Sequence, residues 1–401
     1  MAPDNDDDRA LGAVQDLTAE LIVQARHIAA FELCRHVNRF AGALGARRIA
    51  IYLVDYSQRY VCSIGPEGED DDIPVDGTIA GRAFTSAQRT LAHYDGEAGV
   101  WLPLLDGSER LGVMQVIHAD GVDPDPRLDG FAAAVSEVIV SKNQYSDWFR
   151  RCRRRRDLTL SAEMQWRQLP PLTFTRPQFA IAGALEPAYD MGGDAFDYGD
   201  NLAGLRFSIT DAMGHGTEAM VLSAAAMASL RRSRAHDVPL DETYRDVDEL
   251  LRTHLGDNRF VTGIIAHFDP ATGVLTWINA GHPPPILLRN RTVVGELACA
   301  PSLPMGLGGD VVEVARRQLQ PGDRVLFYTD GVTEARHHDE QFGVERLIDY
   351  LLRTTLDGFD PAETMRRLSL AVLHHNDFEL GDDSSMLMLE VRVVGESDTT
   401  D

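Results

Sequence analysis

The chain has 401 residues and carries 38 Lys+Arg against 62 Asp+Glu, a formal net charge of −24. Its length suggests two domains, or three, and 44% hydrophobic with 25% charged residues fits a soluble protein with real cores and excludes disorder of the whole chain. So acidic a balance argues against nucleic acid or an anionic membrane as the main partner, because phosphate groups reward Lys and Arg.

Residues 1–10 hold four aspartates and read as an acidic tail. A secretory leader would start basic and then run apolar, and this segment does neither. No stretch approaches the roughly 18–20 apolar residues of a membrane-spanning helix. The cysteines Cys34, Cys62, Cys152 and Cys299 are far apart and form no CxxC pair, so neither a disulfide framework nor a structural zinc site is expected. A reducing cytoplasm is the expected location.

From Leu11 to about Ala43 apolar residues recur at steps of three and four, which predicts helix. The period then changes. Arg48–Val54 and Tyr60–Ile64 read as strands, Gly65–Asp72 as a polar acidic loop, and Val100–Leu105 with Leu111–Ile117 as a hairpin about Asp106-Gly107-Ser108. Residues 128–169 read as helix, with Phe131, Val135, Val138, Tyr145, Phe149 and Cys152 in a short heptad-like stripe. That stripe fits either a helix paired across a dimer or one packed on its own domain. The basic run Arg150–Arg156, interrupted by Cys152, reads as a solvated face or a seat for acidic surface rather than a nucleic-acid site. Leu169-Pro170-Pro171 ends the helix, since proline removes a donor and restricts its predecessor.

A larger domain follows. Strands are expected at Phe179–Leu185, Leu205–Asp211, Val261–Phe268, Val274–Ala280, Pro285–Leu288, Arg324–Thr329 and Met386–Val393. Helices are expected near Glu218–Arg232, Leu240–Leu255, Val344–Arg353 and Pro361–His374. Grouped strands and grouped helices favour an α+β layered architecture over regular βαβ winding.

Four acidic positions in this domain stand at strand ends beside glycine. Asp194 follows Gly192-Gly193; Asp211 ends a strand and opens the turn Ala212-Met213-Gly214-His215-Gly216; Asp330 ends a strand before Gly331; Asp382-Asp383 precede a strand. Hard divalent cations bind oxygen ligands that converge from several elements. Each Asp-Gly alone is also an ordinary turn, and spacing by itself leaves the two readings open.

The ordered set Gly192–Asp197, Asp211–Gly216, Asn279–Pro285, Pro321–Arg324, Tyr328–Ala335 and Gly381–Ser385 resembles the bacterial metal-dependent serine/threonine phosphatases of the PPM superfamily, of the sporulation and stress (SpoIIE/RsbU-like) type, over about residues 160–395. The resemblance implies a β-sandwich flanked by helices with two Mn²⁺ or Mg²⁺ ions at one end. It implies that Asp211 bridges both ions, that the Ala212 carbonyl completes one site, that Asp330 and Asp382 hold the second ion, that Asp194 holds the first largely through water, and that Asp383 orients the site or supports a further ion. Asp211 and Asp194 are thus the expected catalytic positions. A pair of such ions, about 3.5–4 Å apart, would activate a water for in-line attack at phosphorus. Met213 stands where relatives of the eukaryotic branch carry a histidine. His215 is therefore expected to pack at a helix start rather than donate a proton, and His282 to be structural.

Gly77–Phe84, Trp101–Leu104 and Leu111–Met114 resemble GAF sensor domains over about residues 25–145, with an unknown ligand. The expected layout is a tail and helix (1–24), a GAF-like α/β sensor domain (25–145), a helical linker or dimer coiled coil (146–170), a PPM-type phosphatase domain (171–395) and a tail (396–401). The expected function is hydrolysis of phosphoserine or phosphothreonine on a partner protein, an anti-sigma-factor antagonist, by a homodimer without nucleic-acid or membrane partners. The alternative is a catalytically silent sensor or scaffold that binds a phosphoprotein or anti-sigma partner.

Overall fold

A computed structural model describes residues 17–65, 71–94, 97–118, 125–190, 192–254, 258–309, 311–338, 340–378 and 380–393. The chain separates into two units, Met1–Asp157 and Leu158–Asp401. The readings placed on residues 1–16 lie outside the described residues, as do those on most of the acidic loop before Asp71.

The first unit is built on strands β1 (Ala46–Val54), β2 (Tyr60–Ser63), β3 (Ile73–Pro74), β4 (Thr90–Tyr94), β5 (Glu97–Asp106) and β6 (Glu109–His118). They form one antiparallel sheet in the order β3-β2-β1-β6-β5-β4. Period-two alternation divides its apolar side chains between two faces. Ile49, Ile51 and Leu53 join Leu102, Met114 and the helices on one side, while Ala50, Tyr52 and Val54 join Trp101 and Phe84 on the other. The helices are α1 (17–25), α2 (Leu33–Asn38), α3 (Ile79–Ser86), α4 (Leu128–Asn143) and α5 (Trp148–Cys152). Thr78 caps α3 by accepting from the Gly81 amide at 3.0 Å. A sheet with helices on both faces is consistent with the expected GAF-like α/β fold.

Two helical expectations need correction. The segment up to Ala43 is not one helix, because Ala29 adopts an extended conformation between α1 and a short 3₁₀ turn at Ala30–Glu32, with its amide held by the Glu32 carboxylate at 2.8 Å. Likewise 128–169 is three helices, α4, α5 and α6 (Leu160–Gln168), not one. Phe131, Val135, Val138 and Phe149 are buried in the core of the first unit, so the stripe is occupied within one chain. A heptad stripe and a core-facing helix share nearly the same spacing, and here the second use applies. Tyr145, in the same stripe, is 71% exposed. The basic run also turns inward. Arg153 Nε donates to the Val54 carbonyl at 2.7 Å and its guanidinium covers Tyr56, while Arg155 covers the Tyr60 ring at 3.7 Å and pairs with Asp72.

The second unit holds two sheets. One has the order β15-β12-β11-β10-β9, with β9 (Ala195–Asn201), β10 (Gly204–Ala212), β11 (Val261–Asp269), β12 (Val274–Ala280) and β15 (Ala315–Gln318). The other has the order β14-β13-β16-β19-β8-β7, with β7 (Thr173–Arg176), β8 (Phe179–Glu186), β13 (Ile286–Arg289), β14 (Thr292–Glu296), β16 (Arg324–Tyr328) and β19 (Ser384–Val391). A short ribbon of β17 (Arg336–His337) and β18 (Glu340–Gln341) lies between helices. The sheets face each other across a core of Phe179, Phe207, Phe268, Phe327 and Leu387, with the Phe207 and Phe327 rings edge to face at 5.0 Å. Outside the first sheet, α7 (Gly216–Ala235) and α8 (Leu240–His254) bury Leu222 and Tyr244 against Ile265 and Ile278. Outside the second, α10 (Gly343–Leu356) and α11 (Pro361–His375) bury Leu351 and Leu368 against Leu326 and Met388; the short α9 (Asp330–Glu334) follows β16. Asp360 caps α11 ahead of Pro361, the position proline tolerates best. This is the sandwich flanked by helices that the sequence implied.

Candidate metal centre

One end of the sandwich gathers the strand-end aspartates. β10 carries Asp211, still paired with Thr262, next to its last residue, Ala212; β16 ends at Tyr328, two residues before Asp330; and β19 enters beside β16 just after Asp382-Asp383. The loop Gly192–Asp194 closes over them into β9. Two sheets and four chain segments therefore deliver carboxylates to one place.

Asp194 is 2% exposed. Burial first, then the carboxylates of Asp211 and Asp383, push its pKa well above the usual range, while a 2.7 Å hydrogen bond from Thr329 Oγ1 works the other way. Asp211 is pushed up to about 7, by burial first and then by Asp330, Asp382 and Asp383. Asp383 is raised by burial although its Oδ2 accepts from the amides of Gly192 (2.7 Å) and Gly193 (2.6 Å). Asp330 and Asp382 are exposed at the mouth. Among the described residues, none of these five carboxylates forms an ion pair with Lys or Arg.

Each of the six residues singled out in the sequence thus lies at this end. Asp194, Asp211 and Asp383 stand within electrostatic reach of one another, and Asp330 and Asp382 within reach of Asp211. Ala212 is fully buried, and its carbonyl faces Gly193 so closely that a Cβ there would stand 2.6 Å from the oxygen. Among the described residues, no group of three or more His, Cys, Asp or Glu side chains is placed to hold a metal ion.

Asp383 has a definite task. By accepting two consecutive amides it pins the loop that carries Asp194. Thr329 was quoted in the sequence but given no role. It is fully buried, donates to Asp194, and accepts from the Ser385 amide at 2.9 Å, so it ties the two sheets together at the site. A β-branched hydroxyl residue directly before a strand-end aspartate was the available signal. Gly331 is forced: a Cβ there would lie 1.8 Å from the Asp383 carbonyl oxygen.

The two histidines differ. His282 is buried, and burial drives its pKa down to about 3. Its amide donates to Asn279 Oδ1 and its carbonyl accepts from Asn279 Nδ2, both at 2.8 Å, an arrangement that suits a structural role. His215 occupies the N-cap of α7, but its side chain is exposed rather than packed and makes no capping bond.

A four-layer sandwich with convergent aspartates at one end defines the class: a PPM-type fold. Residues 202–392 match the family model described as Stage II sporulation protein E (SpoIIE). Among curated relatives, the phosphoserine phosphatase RsbU of Bacillus subtilis is 23% identical over 214 residues, 52% of this chain and 62% of the relative. Protein IcfG of Synechocystis is 24% identical over 289 residues, 62% of this chain and 45% of the relative. The matches thus span less than two thirds of either relative's own length. Among solved structures, the RsbU and RsbW domains of Rv1364c from Mycobacterium tuberculosis align at a TM-score of 0.48 and 24% identity, over 55% of this chain and 62% of that one. Among the described residues, no helix is long and apolar enough to cross a membrane.

Proposed function

We propose that the chain is a metal-dependent protein phosphatase that hydrolyses phosphoserine or phosphothreonine on a partner protein. One observation carries this reading: five carboxylates are gathered at a sheet junction, Asp194 buried and Asp211 and Asp383 half-buried, and no described Lys or Arg neutralises them. The donor set is all oxygen and close to a bare carbonyl, which suits Mg²⁺ or Mn²⁺. Asp211 and the Ala212 carbonyl, with Asp194, would hold one ion, and Asp330 and Asp382 with Asp211 a second. When bound, such ions acidify water and neutralise phosphoryl oxygens.

The chain's own residues then act by placement. Asp383 fixes the Gly192–Asp194 loop, Thr329 holds Asp194 in one rotamer, and the exposed Asp330 and Asp382 leave the mouth open to a protein-borne phosphate. Because RsbU carries the name phosphoserine phosphatase, a phosphoserine protein, such as an anti-sigma-factor antagonist, is the proposed substrate. The first unit is proposed as a GAF-like regulatory domain and the cytoplasm as the location. Homodimerisation, if it occurs, must use a surface other than the buried Phe131–Phe149 stripe.

The test is hydrolysis of an aryl phosphate and a phosphoserine peptide with Mn²⁺, Mg²⁺ or chelator, for the wild type and Asp211→Asn. Cation-dependent turnover lost in the variant is expected. Cation binding by calorimetry without turnover on either substrate would favour the silent scaffold.

A further inference from the structure

The end of the sandwich away from the aspartates carries charge of the opposite sign. There β13 and β14 turn over, β16 begins, β19 ends and β7 passes into β8, lining an open groove of ≈ 590 Å³. Three arginines, Arg291, Arg324 and Arg392, and one acid, Glu390, are its charged lining, in a chain whose net charge is −24.

The arginines are not equivalent. Arg324 is committed to the fold: its Nε pairs with Glu390 at 2.6 Å and its other nitrogens donate to the Phe359 carbonyl and Thr355 Oγ1. Arg392 only approaches Glu390, at 4.0 Å, and is exposed. Arg291 is exposed and, among the described residues, makes no hydrogen bond or ion pair. It also sits in an unfavourable place. Asn290 and Arg291 are the two central residues of the β13–β14 hairpin, with φ of +51° and +59°. Glycine is the usual second residue of such a turn, and a long charged side chain held there in the left-handed region is a reason to look for a role.

We infer that this groove docks an acidic peptide segment of a partner protein, with carboxylates on Arg291 and Arg392. The two guanidiniums come from different elements across a space in the range that holds a drug-sized or short-peptide ligand, larger than one small anion fills. Guanidinium forks suit paired carboxylates. The rest of the surface repels an acidic segment, so the groove also sets its orientation. Docking here leaves the aspartate end open and is independent of whether that end is catalytic.

The experiment is fluorescence anisotropy of a labelled peptide with four Glu residues, titrated with the full chain at low salt. Matched Gln and Lys peptides serve as controls, and the proteins compared are the wild type, Arg291→Glu/Arg392→Glu and Arg291→Lys/Arg392→Lys. Saturable binding of the Glu peptide, at least tenfold weaker in the charge-reversed variant, partly kept by the lysine variant and weakened by salt, is expected. Equal binding to wild type and charge-reversed protein of unchanged melting temperature overturns the proposal, as does no binding at millimolar protein. Full displacement of the peptide by low-millimolar inorganic phosphate, with no dependence on the number of Glu residues, assigns the groove to a small anion and also overturns it.

Discussion

Two regions of the molecule bury aspartates in opposite ways. In the first unit Asp55 is fully buried, and its oxygens accept from the amides of Ser57, Arg59 and Tyr60 and from the Ser57 hydroxyl; the carboxylate is absorbed by its own turn. In the second unit Asp197 meets Arg231 and Arg234, and Asp323 meets Arg289. At the sandwich end, Asp194, Asp211 and Asp383 face one another with no described Lys or Arg among them, and the Thr329 hydroxyl and the Gly192 and Gly193 amides answer only part of that charge. The first arrangements show how this chain settles a buried charge when stability is the aim. The last leaves repulsion in place, which is what the proposed cation site would relieve. A buried acid is therefore informative here not for being buried but for what faces it.

Four experiments would break or sharpen that contrast. Asp197→Ala strands two guanidiniums beside a buried site and should cost about 3–5 kcal/mol of stability, read by denaturant unfolding; a loss below ~1 kcal/mol would remove the contrast. Asp211→Asn should lower kcat/KM on the order of 10²–10³-fold, yet in chelator it should melt no lower than the wild type, because it removes a repelling charge. A clearly lower melting temperature would place Asp211 with Asp197 as a structural acid. Asp383→Asn should weaken Mn²⁺ binding by roughly 10–100-fold by loosening the Gly192–Asp194 loop; unchanged affinity by calorimetry would reduce Asp383 to a bystander.

The fourth concerns pH. Asp211 has a folded pKa of about 7 against an ordinary 3.8, so between those values the folded chain binds more protons than the unfolded one. In chelator, stability should therefore fall as pH rises from about 4 to 7. Excess Mn²⁺ should flatten or reverse that slope, since cation and proton compete for the same oxygens. Identical pH profiles with and without Mn²⁺ would contradict the site.

The layered α+β plan was legible because the long central strands are apolar, as in Val261–Phe268 and Arg324–Thr329, whereas the sandwich itself came from the resemblance. The strands that escaped notice carry little pattern: β15 is Ala-Arg-Arg-Gln and mostly exposed, and β9 mixes glycine with acids. The six site residues could be named from the order of motifs, whereas spacing alone left Asp-Gly turns and cation ligands undivided. Thr329 stayed silent because its importance lies in a contact 135 positions away. The 128–169 stripe misled because the same heptad spacing serves a core and a coiled coil.

The closeness of Gly331 to the Asp383 carbonyl carries a lesson for surveying relatives. A methyl at that position would act as a wedge between the segment bearing Asp330 and the one bearing Asp382, while deleting no ligand. A sequence could thus keep every acid and still be inert. Scoring such chains as competent from their aspartates alone omits a condition written in a hydrogen atom, the only substituent that this crossing of two backbones admits.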